Sequence, residues 1–520
     1  MAREDEIVRE RIKKIDDLRS RGVNPYSHKF ELEAERKHSD ELIKEYSSLK
    51  QEEVSQKHEV VAGRVMFLRS FGKLAFAKVQ DSKGVIQVVL QSEKTPEKIM
   101  EIFNSSVDTG DIIGVKGNPM KTKTGEVSIL AKELAILTKS ILPLPDKVHG
   151  LKDEEEKLRK RYLDIITNPE VKELFVKKQK FWESIRHFLI ERGFLEVETP
   201  ILENSAGGAA ATPFSTHHNA LNLDIFLRIS QGELWQKKLL VAGYEKTFEI
   251  GRLFRNEGMD AEHLQDFTSM EFYWAYADFN DGMKLVEELY KKTAMAVLGS
   301  LKFKSKGFDI DLGKKWEVYD YENLIETKTG LNIYKAEKKD IAKFLDKESI
   351  EYQANVDKWR LVDLLWKYCR KHLAGPGFLT NQPVELSPLA KRNEKDPRKV
   401  EQFQVIIAGS ELGNGYSELN DPADQEERFK KQQESKEKGD AESMSHDFEF
   451  VEALKYGMPP ACGFGVSERF FSFMMDKPIR ECVIFPLMKP LTTQEEKQEV
   501  KAPEKKAEVK SAQKKEAKKK

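Results

Sequence analysis

The sequence predicts an α+β chain in two parts, a small β-barrel followed by a larger mixed domain, and three observations carry that expectation. Between Glu59 and Thr138 apolar residues alternate with polar ones in five short runs, the period of half-buried strands. From Pro169 helical spacing takes over, in a run to Arg192 that Gly193 stops. Beyond it, Phe248 to Tyr276 reads as two strands flanking a polar loop, the hairpin around which the larger domain is organised.

The chain has 520 residues, enough for two or three domains with a large core. A net charge of −1 with 34% charged residues describes a surface of mixed sign, which restricts nucleic-acid contact to local patches. Cys369, Cys462 and Cys482 are too few and too scattered for a disulfide framework or a paired-cysteine metal site, as expected in a reducing compartment. The first residues, MAREDEIVRERIKKIDD, lack the apolar core of a signal peptide, and no run reaches membrane-spanning length. A cytoplasmic protein with no membrane contact is expected.

Residues 1–57 form a helical extension, with Val8, Ile12, Ile15 and Leu18 on one face of a charged helix ending at Gly22. Residues 58–140 hold the runs VVAGRVMF, KLAFAKVQD, GVIQVVLQ, DIIGVKGNP and VSILAKELAIL, with a helix near Glu97 to Phe103. Five strands and one helix suit a barrel of the oligonucleotide-binding kind. Arg64, Phe67, Arg69, Phe76 and Gln87 supply the aromatic faces and cations with which such barrels stack bases and track phosphates. Residues 141–168 are proline-punctuated and then densely charged, a linker. The larger domain occupies 169–490, and within it the region from Gly282 to Asn381 is assigned no chemistry. Residues 491–520 are lysine-rich without an apolar face, a tail expected to be disordered.

Side chains alternate faces along a strand. On the return strand of the hairpin Phe267, Ser269, Glu271 and Tyr273 share one face, and Thr268, Met270, Phe272 and Trp274 share the other. The second set reads as core and the first as a site. Arg255 and Glu257, two residues apart on the incoming strand, add a cation and a carboxylate beside an aromatic ring, a set that suits a nucleotide.

These stretches carry a resemblance. GFLEVETPIL, then FRNEG with HLQDFTSMEFYWAYAD, then GFGVSERFF resemble, in order, the three signature motifs of class II aminoacyl-tRNA synthetases. With a barrel in front they resemble the lysyl, aspartyl and asparaginyl group, and LPDKVHGL, RYLDIITNPE, PVELSPLAK and NGYSELNDP look like the lysyl family. The resemblance implies an OB-fold anticodon-binding domain and a class II catalytic domain built on an antiparallel sheet flanked by helices. It also implies ATP-dependent activation of L-lysine, transfer to the 3′ end of tRNA(Lys), Mg²⁺, and a homodimer meeting at GFLEVETPIL. An aspartyl or asparaginyl enzyme and a non-catalytic tRNA-binding paralogue are the alternatives.

By the same resemblance Glu271, Tyr273, Tyr416 and Glu418 would surround the ε-ammonium of lysine, Glu233 and the Gly208 carbonyl the α-amino group, and Arg255 with Asn414 the carboxylate. Adenine would lie between Phe267 and Arg469 with its amino edge near Glu257, and the phosphates near Arg255, His263 and Arg469. Arg255 and Arg469 are the catalytic cations. Glu411 would hold Mg²⁺, with Gln404 as the second ligand, and Arg64, Arg69, Phe76, Gln87 and Glu133 would meet the anticodon. Charge argues the same way. If the strand carrying Asn414, Tyr416 and Glu418 neighbours the return strand, two carboxylates converge in a dry pocket that only a cation completes.

Several positions depart from the family pattern. Gln404 stands where it places a second acidic metal ligand, Glu262 where it carries Arg, and Leu264 where it carries Asn. RISQGELWQKK is one residue longer than usual before its Glu233, and GFGVSER one residue shorter before Glu468 and Arg469.

Overall fold

The computed structural model describes residues 2–30, 35–145, 151, 153–205, 207–209, 211–352, 356–437 and 446–490. The chain divides into two compact units, 1–154 and 155–520. The tail at 491–520 and part of LPDKVHGL lie outside the described residues. The described part of the expected linker contains two short helices, Glu154–Arg159 and Arg161–Thr167.

In the first unit five strands, β1 (Glu59–Phe71), β2 (Leu74–Gln80), β3 (Val85–Gln91), β4 (Ile112–Lys121) and β5 (Val127–Thr138), close in the order β1-β2-β3-β5-β4. Closure leaves no unpaired strand edge. The alternating residues Val61, Val65, Val79, Val88, Val115 and Ile129 fill the interior, and the helix Glu97–Ser106 adds Met100 and Phe103 to them. The first helix, Ala2–Ser20, buries Ile15 and Leu18, whereas Ile12 of the same stripe is 43% exposed.

The second unit contains β6 (Leu195–Glu196), β7 (Leu202–Glu203), β8 (Ser215–His218), β9 (Leu223–Leu227), β10 (Lys246–Phe254), β11 (Asp266–Ala275), β12 (Lys302–Ser305), β13 (Phe308–Asp311), β14 (Glu317–Asp320), β15 (Gly377–Thr380), β16 (Gln402–Ile407), β17 (Ser410–Ser417) and β18 (Ala461–Ser467). Eight of them form one sheet in the order β14-β15-β16-β17-β18-β11-β10-β6. It is antiparallel except at its edges, where β14 runs parallel to β15 and β6 to β10.

The two faces of this sheet differ in kind. Met270 and Phe272 from β11, Phe464 and Val466 from β18, and Phe403 and Val405 from β16 point one way into the largest core, under the helices Pro169–Ile190 and Phe279–Leu298. Burial of that many large apolar side chains is the main favourable contribution to folding here, at about 1.5–3 kcal/mol each. The opposite face carries Phe267, Ser269, Glu271 and Tyr273 and stays open as a cavity. Among the described residues no helix is long and apolar enough to cross a membrane.

Candidate active site

A cavity of about 470 Å³ opens on the polar face of the sheet. Its walls include all of the residues expected around an amino acid and a nucleotide: Gly208, Glu233, Arg255, Glu257, His263, Phe267, Glu271, Tyr273, Gln404, Glu411, Asn414, Tyr416, Glu418 and Arg469. Two expectations about their scaffold need correction. Strands β11 and β17 are not neighbours, because β18 runs between them. Arg255 and Glu257 do not lie on the incoming strand, since β10 ends at Phe254 and the loop begins there.

The intervening strand makes the pocket. Gly463 of β18 stands opposite Tyr273 on one side and Tyr416 on the other, and Gly465 opposite Glu271 and Asn414. A Cβ at Gly463 would fall 2.1 Å from Glu418 Oε1 and 2.7 Å from a ring carbon of Tyr273. The floor therefore has to be bare backbone. Sequence reading passed over these glycines, although their alternation with Cys462, Phe464 and Val466 was the available signal.

At one end of the cavity three carboxylates meet. Glu233 opens the helix Glu233–Val241 after Gly232, whose φ of +64° turns the chain into it. Its Oε1 accepts hydrogen bonds from Tyr416 and, at 2.7 Å, from Lys237 one turn further on. Glu271 accepts from the Gln231 amide at 2.9 Å and the Tyr273 hydroxyl at 3.0 Å. Glu418, 1% exposed, lies 2.5 Å from the Lys237 ammonium, and its Oε1 has no hydrogen-bond partner.

Lys237 is the residue sequence reading missed. It is 1% exposed, bridges Glu233 and Glu418, and lies 5.4–5.9 Å from the ring centres of Tyr273, Tyr416 and Phe450. The pocket thus has a cation of its own, where two uncompensated carboxylates were expected. One ammonium does not neutralise three carboxylates. Burial, then repulsion from Glu233, raises the Glu271 pKa to about 7. Burial also raises that of Glu418, to about 8, against the pull of Lys237. Both shifts favour the protonated carboxyls, which lessens the excess negative charge.

The other end of the cavity is cationic. Arg255 donates to the Ile229 carbonyl at 3.2–3.3 Å and lies 5.5 Å from the centre of the Phe267 ring. Arg469 heads the helix Arg469–Met474, set by Glu468, which pairs with Lys178 and accepts from the Thr268 amide at 3.1 Å. Glu468 is fully buried, so the shortened GFGVSER still anchors its arginine. His263 turns to Asp260 at 2.8 Å. Leu264 is buried at 8% exposure, a packing residue in place of a polar one. Glu262 turns inward, where Arg469, Lys306 and Ser410 all donate to it. Asn414 accepts from Gln402 at 2.7 Å.

Glu411 accepts from the Trp366 indole and lies 3.6 Å from Arg370. Among the described residues no group of three His, Cys, Asp or Glu side chains is arranged for a metal ion. One carboxylate and the Gln404 amide fit Mg²⁺ in the way that ion is usually held at phosphate sites, by one or two protein ligands with the rest from water and substrate.

In the barrel a second cavity, of about 480 Å³, gathers Phe67, Arg69, Phe76 and Gln87. Phe67 is 45% exposed and Arg69 lies 4.4 Å over the exposed ring of Phe71. Arg64 and Glu133 do not line it. Arg64 donates to the Gly110 carbonyl at 2.8 Å, and Glu133 pairs with Lys116 at 3.1 Å.

Comparison with known proteins bears on both cavities. A family model for an OB-fold nucleic acid binding domain matches residues 60–137, the barrel. The lysine–tRNA ligase of Thermotoga maritima is 42% identical over 497 residues, covering 95% of this chain and 98% of that protein. Those of Halalkalibacterium halodurans and a Thermoanaerobacter species are 42% and 43% identical over 93% and 94% of the chain. A family model for tRNA synthetases of class II (D, K and N) matches residues 153–489, the whole of the described sheet and both ends of its cavity, and the chain belongs to that family.

Proposed function

We propose that the chain activates L-lysine with ATP to lysyl-adenylate and transfers the lysyl group to the 3′ end of tRNA(Lys). The observation that carries this reading is the charge of the pocket: among the described residues Glu233, Glu271 and Glu418 face one built-in ammonium, that of Lys237. The carboxylates are in excess, and their crowding helps raise the pKa values of Glu271 and Glu418. Lysine brings two ammonium groups, and its carboxylate has Arg255 and Asn414 at the other end. Aspartate would add a carboxylate to an already acidic pocket, and asparagine would leave that excess uncompensated.

The lysine ε-ammonium would donate to Glu418 Oε1 and Glu271 beside Tyr273 and Tyr416, and its α-ammonium to Glu233 and the Gly208 carbonyl. ATP would place adenine between Phe267 and Arg469, its amino group at Glu257, and its phosphates at Arg255, His263 and Arg469. A carboxylate oxygen of lysine attacks the α-phosphorus, and the bond from that phosphorus to the bridging oxygen of pyrophosphate breaks. A terminal ribose hydroxyl of tRNA then attacks the activated carbonyl and AMP leaves. The protein contributes orientation and fixed positive charge and needs no side-chain nucleophile. Mg²⁺, held by Glu411 with Gln404, would neutralise charge on the phosphate oxygens.

The barrel would read the anticodon through Phe67, Arg69, Phe76 and Gln87. Action in the cytoplasm as a homodimer completes the reading. Exchange of pyrophosphate into ATP tests it. Lysine is expected to support exchange while aspartate and asparagine do not; exchange with aspartate alone would sink the lysine assignment. The Glu262 pairing with Arg469 is the observation that favours a non-catalytic paralogue, and a lack of exchange with all three amino acids would favour that alternative.

A further inference from the structure

Lys306 lies in a region to which the sequence reading gave no chemistry. It sits at the tip of the hairpin β12–β13, in a two-residue turn with φ of +50° at Lys306 and +81° at Gly307. Both residues take the left-handed conformation that tight hairpin turns require, and only the glycine does so without strain. The tip is docked by its backbone: the Lys306 amide donates to Asp476 at 2.9 Å. Its ammonium lies 4.6 Å over the ring of Phe473, on the helix that Arg469 begins. Its charge is thereby held close to that of Arg469.

Between those two cations sits Glu262. One carboxylate oxygen accepts from Lys306 and from the Ser410 hydroxyl at 3.3 Å, and the other accepts from Arg469. The four residues come from four separate segments: the loop after β10, the β12–β13 turn, the start of β17 and the helix after β18. A negatively charged group with one oxygen on a guanidinium and another on an ammonium and a hydroxyl has the surroundings of a phosphate. Glu262 and Arg469 line the cavity beside Phe267 and Glu411, whereas Lys306 does not line it while Glu262 is in place. Two cations meet at that one carboxylate, Asp260 and Glu411 add negative charge nearby, and Arg370, the next cation, is held by Glu411 at 3.6 Å.

We propose that Glu262 occupies the place of the terminal phosphate of ATP as an internal ligand, and that Lys306 is a phosphate-binding residue uncovered when the loop carries Glu262 away. This deepens the reading of the cavity as an ATP site and rests on it. Entry of the triphosphate exchanges one anion for another on Lys306 and Arg469. The β12–β13 hairpin thus supplies a cation to the phosphate end of the cavity, where the loop itself offers the opposite charge.

Lysine-dependent pyrophosphate exchange, with KM values for ATP and lysine, tests this on the full chain and on Lys306→Met, Lys306→Arg and Glu262→Gln. Lys306→Met should raise the KM for ATP at least about tenfold, the effect of losing a hydrogen bond to a charged group, with the KM for lysine changed less than about twofold. Lys306→Arg should restore most of it, and Glu262→Gln should lower the KM for ATP. An unchanged ATP KM in Lys306→Met, or equal rises for ATP and lysine, would overturn the proposal. Calorimetric binding of inorganic pyrophosphate needs no amino-acid activation and separates this subsite from the wider reading. Weaker binding by Lys306→Met supports the subsite even if no amino acid drives exchange, and equal binding by the two proteins refutes it.

Discussion

Lys237 alters the electrostatics of the pocket more than any residue read from the sequence. With its ammonium between Glu233 and Glu418, the substrate is a second cation entering a partly neutralised site. Burial and mutual repulsion raise the pKa values of Glu271 and Glu418 to about 7 and 8, toward the protonated forms. An entering ammonium favours their ionised forms, so lysine binding should release protons. The apparent affinity for lysine should accordingly fall as pH drops through 8 and then 7, while ATP affinity changes less. Calorimetric titration of lysine in buffers of different ionisation enthalpy measures the released protons, and none released at pH 7.5 contradicts this account. Glu418→Gln should weaken lysine by about 2 kcal/mol or more, roughly thirtyfold in KM, and ATP far less. Equal losses for both substrates would show the pocket to be misassigned. Glu271, Tyr273 and Glu418 were legible because a carboxylate alternating with apolar residues on a strand demands a partner. Lys237 was not, because a lysine four residues after a glutamate in a helix reads as a surface ion pair.

At the scale of elements, the hairpin β10–β11 follows its alternation closely, with Met270 and Phe272 fully buried and Phe267, Ser269, Glu271 and Tyr273 facing the cavity. The barrel strands were equally legible, because their turns and two-residue period are local signals. What the sequence withheld was strand order. Nothing local says that a strand starting at Ala461 inserts between β11 and β17, almost two hundred residues from one partner and a few dozen from the other. That insertion decides which side chains face each other, and it makes Gly463 a spacer. Gly463→Ala should abolish lysine-dependent exchange, since its methyl would fall 2.1 Å from Glu418 Oε1. Circular dichroism and a melting curve check that the fold persists; a variant that folds and still binds lysine normally would remove the spacing role.

Over the whole molecule the chain carries two units with separate cores and separate cavities. The reactions assigned to them separate in the same way. Activation uses ATP and lysine alone, whereas charging also needs tRNA. Phe76→Ala should raise the KM for tRNA about tenfold, the effect of losing one stacked base. Exchange assayed without tRNA is the comparison, and an equal fall in both reactions would argue that the barrel variant acts through folding. Hydrophobic periodicity predicted the two-part plan, and net charge the local nature of any nucleic-acid contact. Neither could identify which barrel residues gather, and Arg64 and Glu133 prove to be held by Gly110 and Lys116.

The even spacing of Asn414, Tyr416 and Glu418 along β17 and just beyond it has a consequence for length. At about 3.3 Å per residue, Asn414 and Glu418 stand roughly 13 Å apart along the strand direction, fixed by backbone pitch. Under the proposed assignment one meets the carboxylate end of the amino acid and the other its far ammonium. The sheet is then a ruler. Ornithine, shorter than lysine by one methylene, cannot reach both marks, and a single methylene of misfit is worth roughly 10- to 200-fold in discrimination.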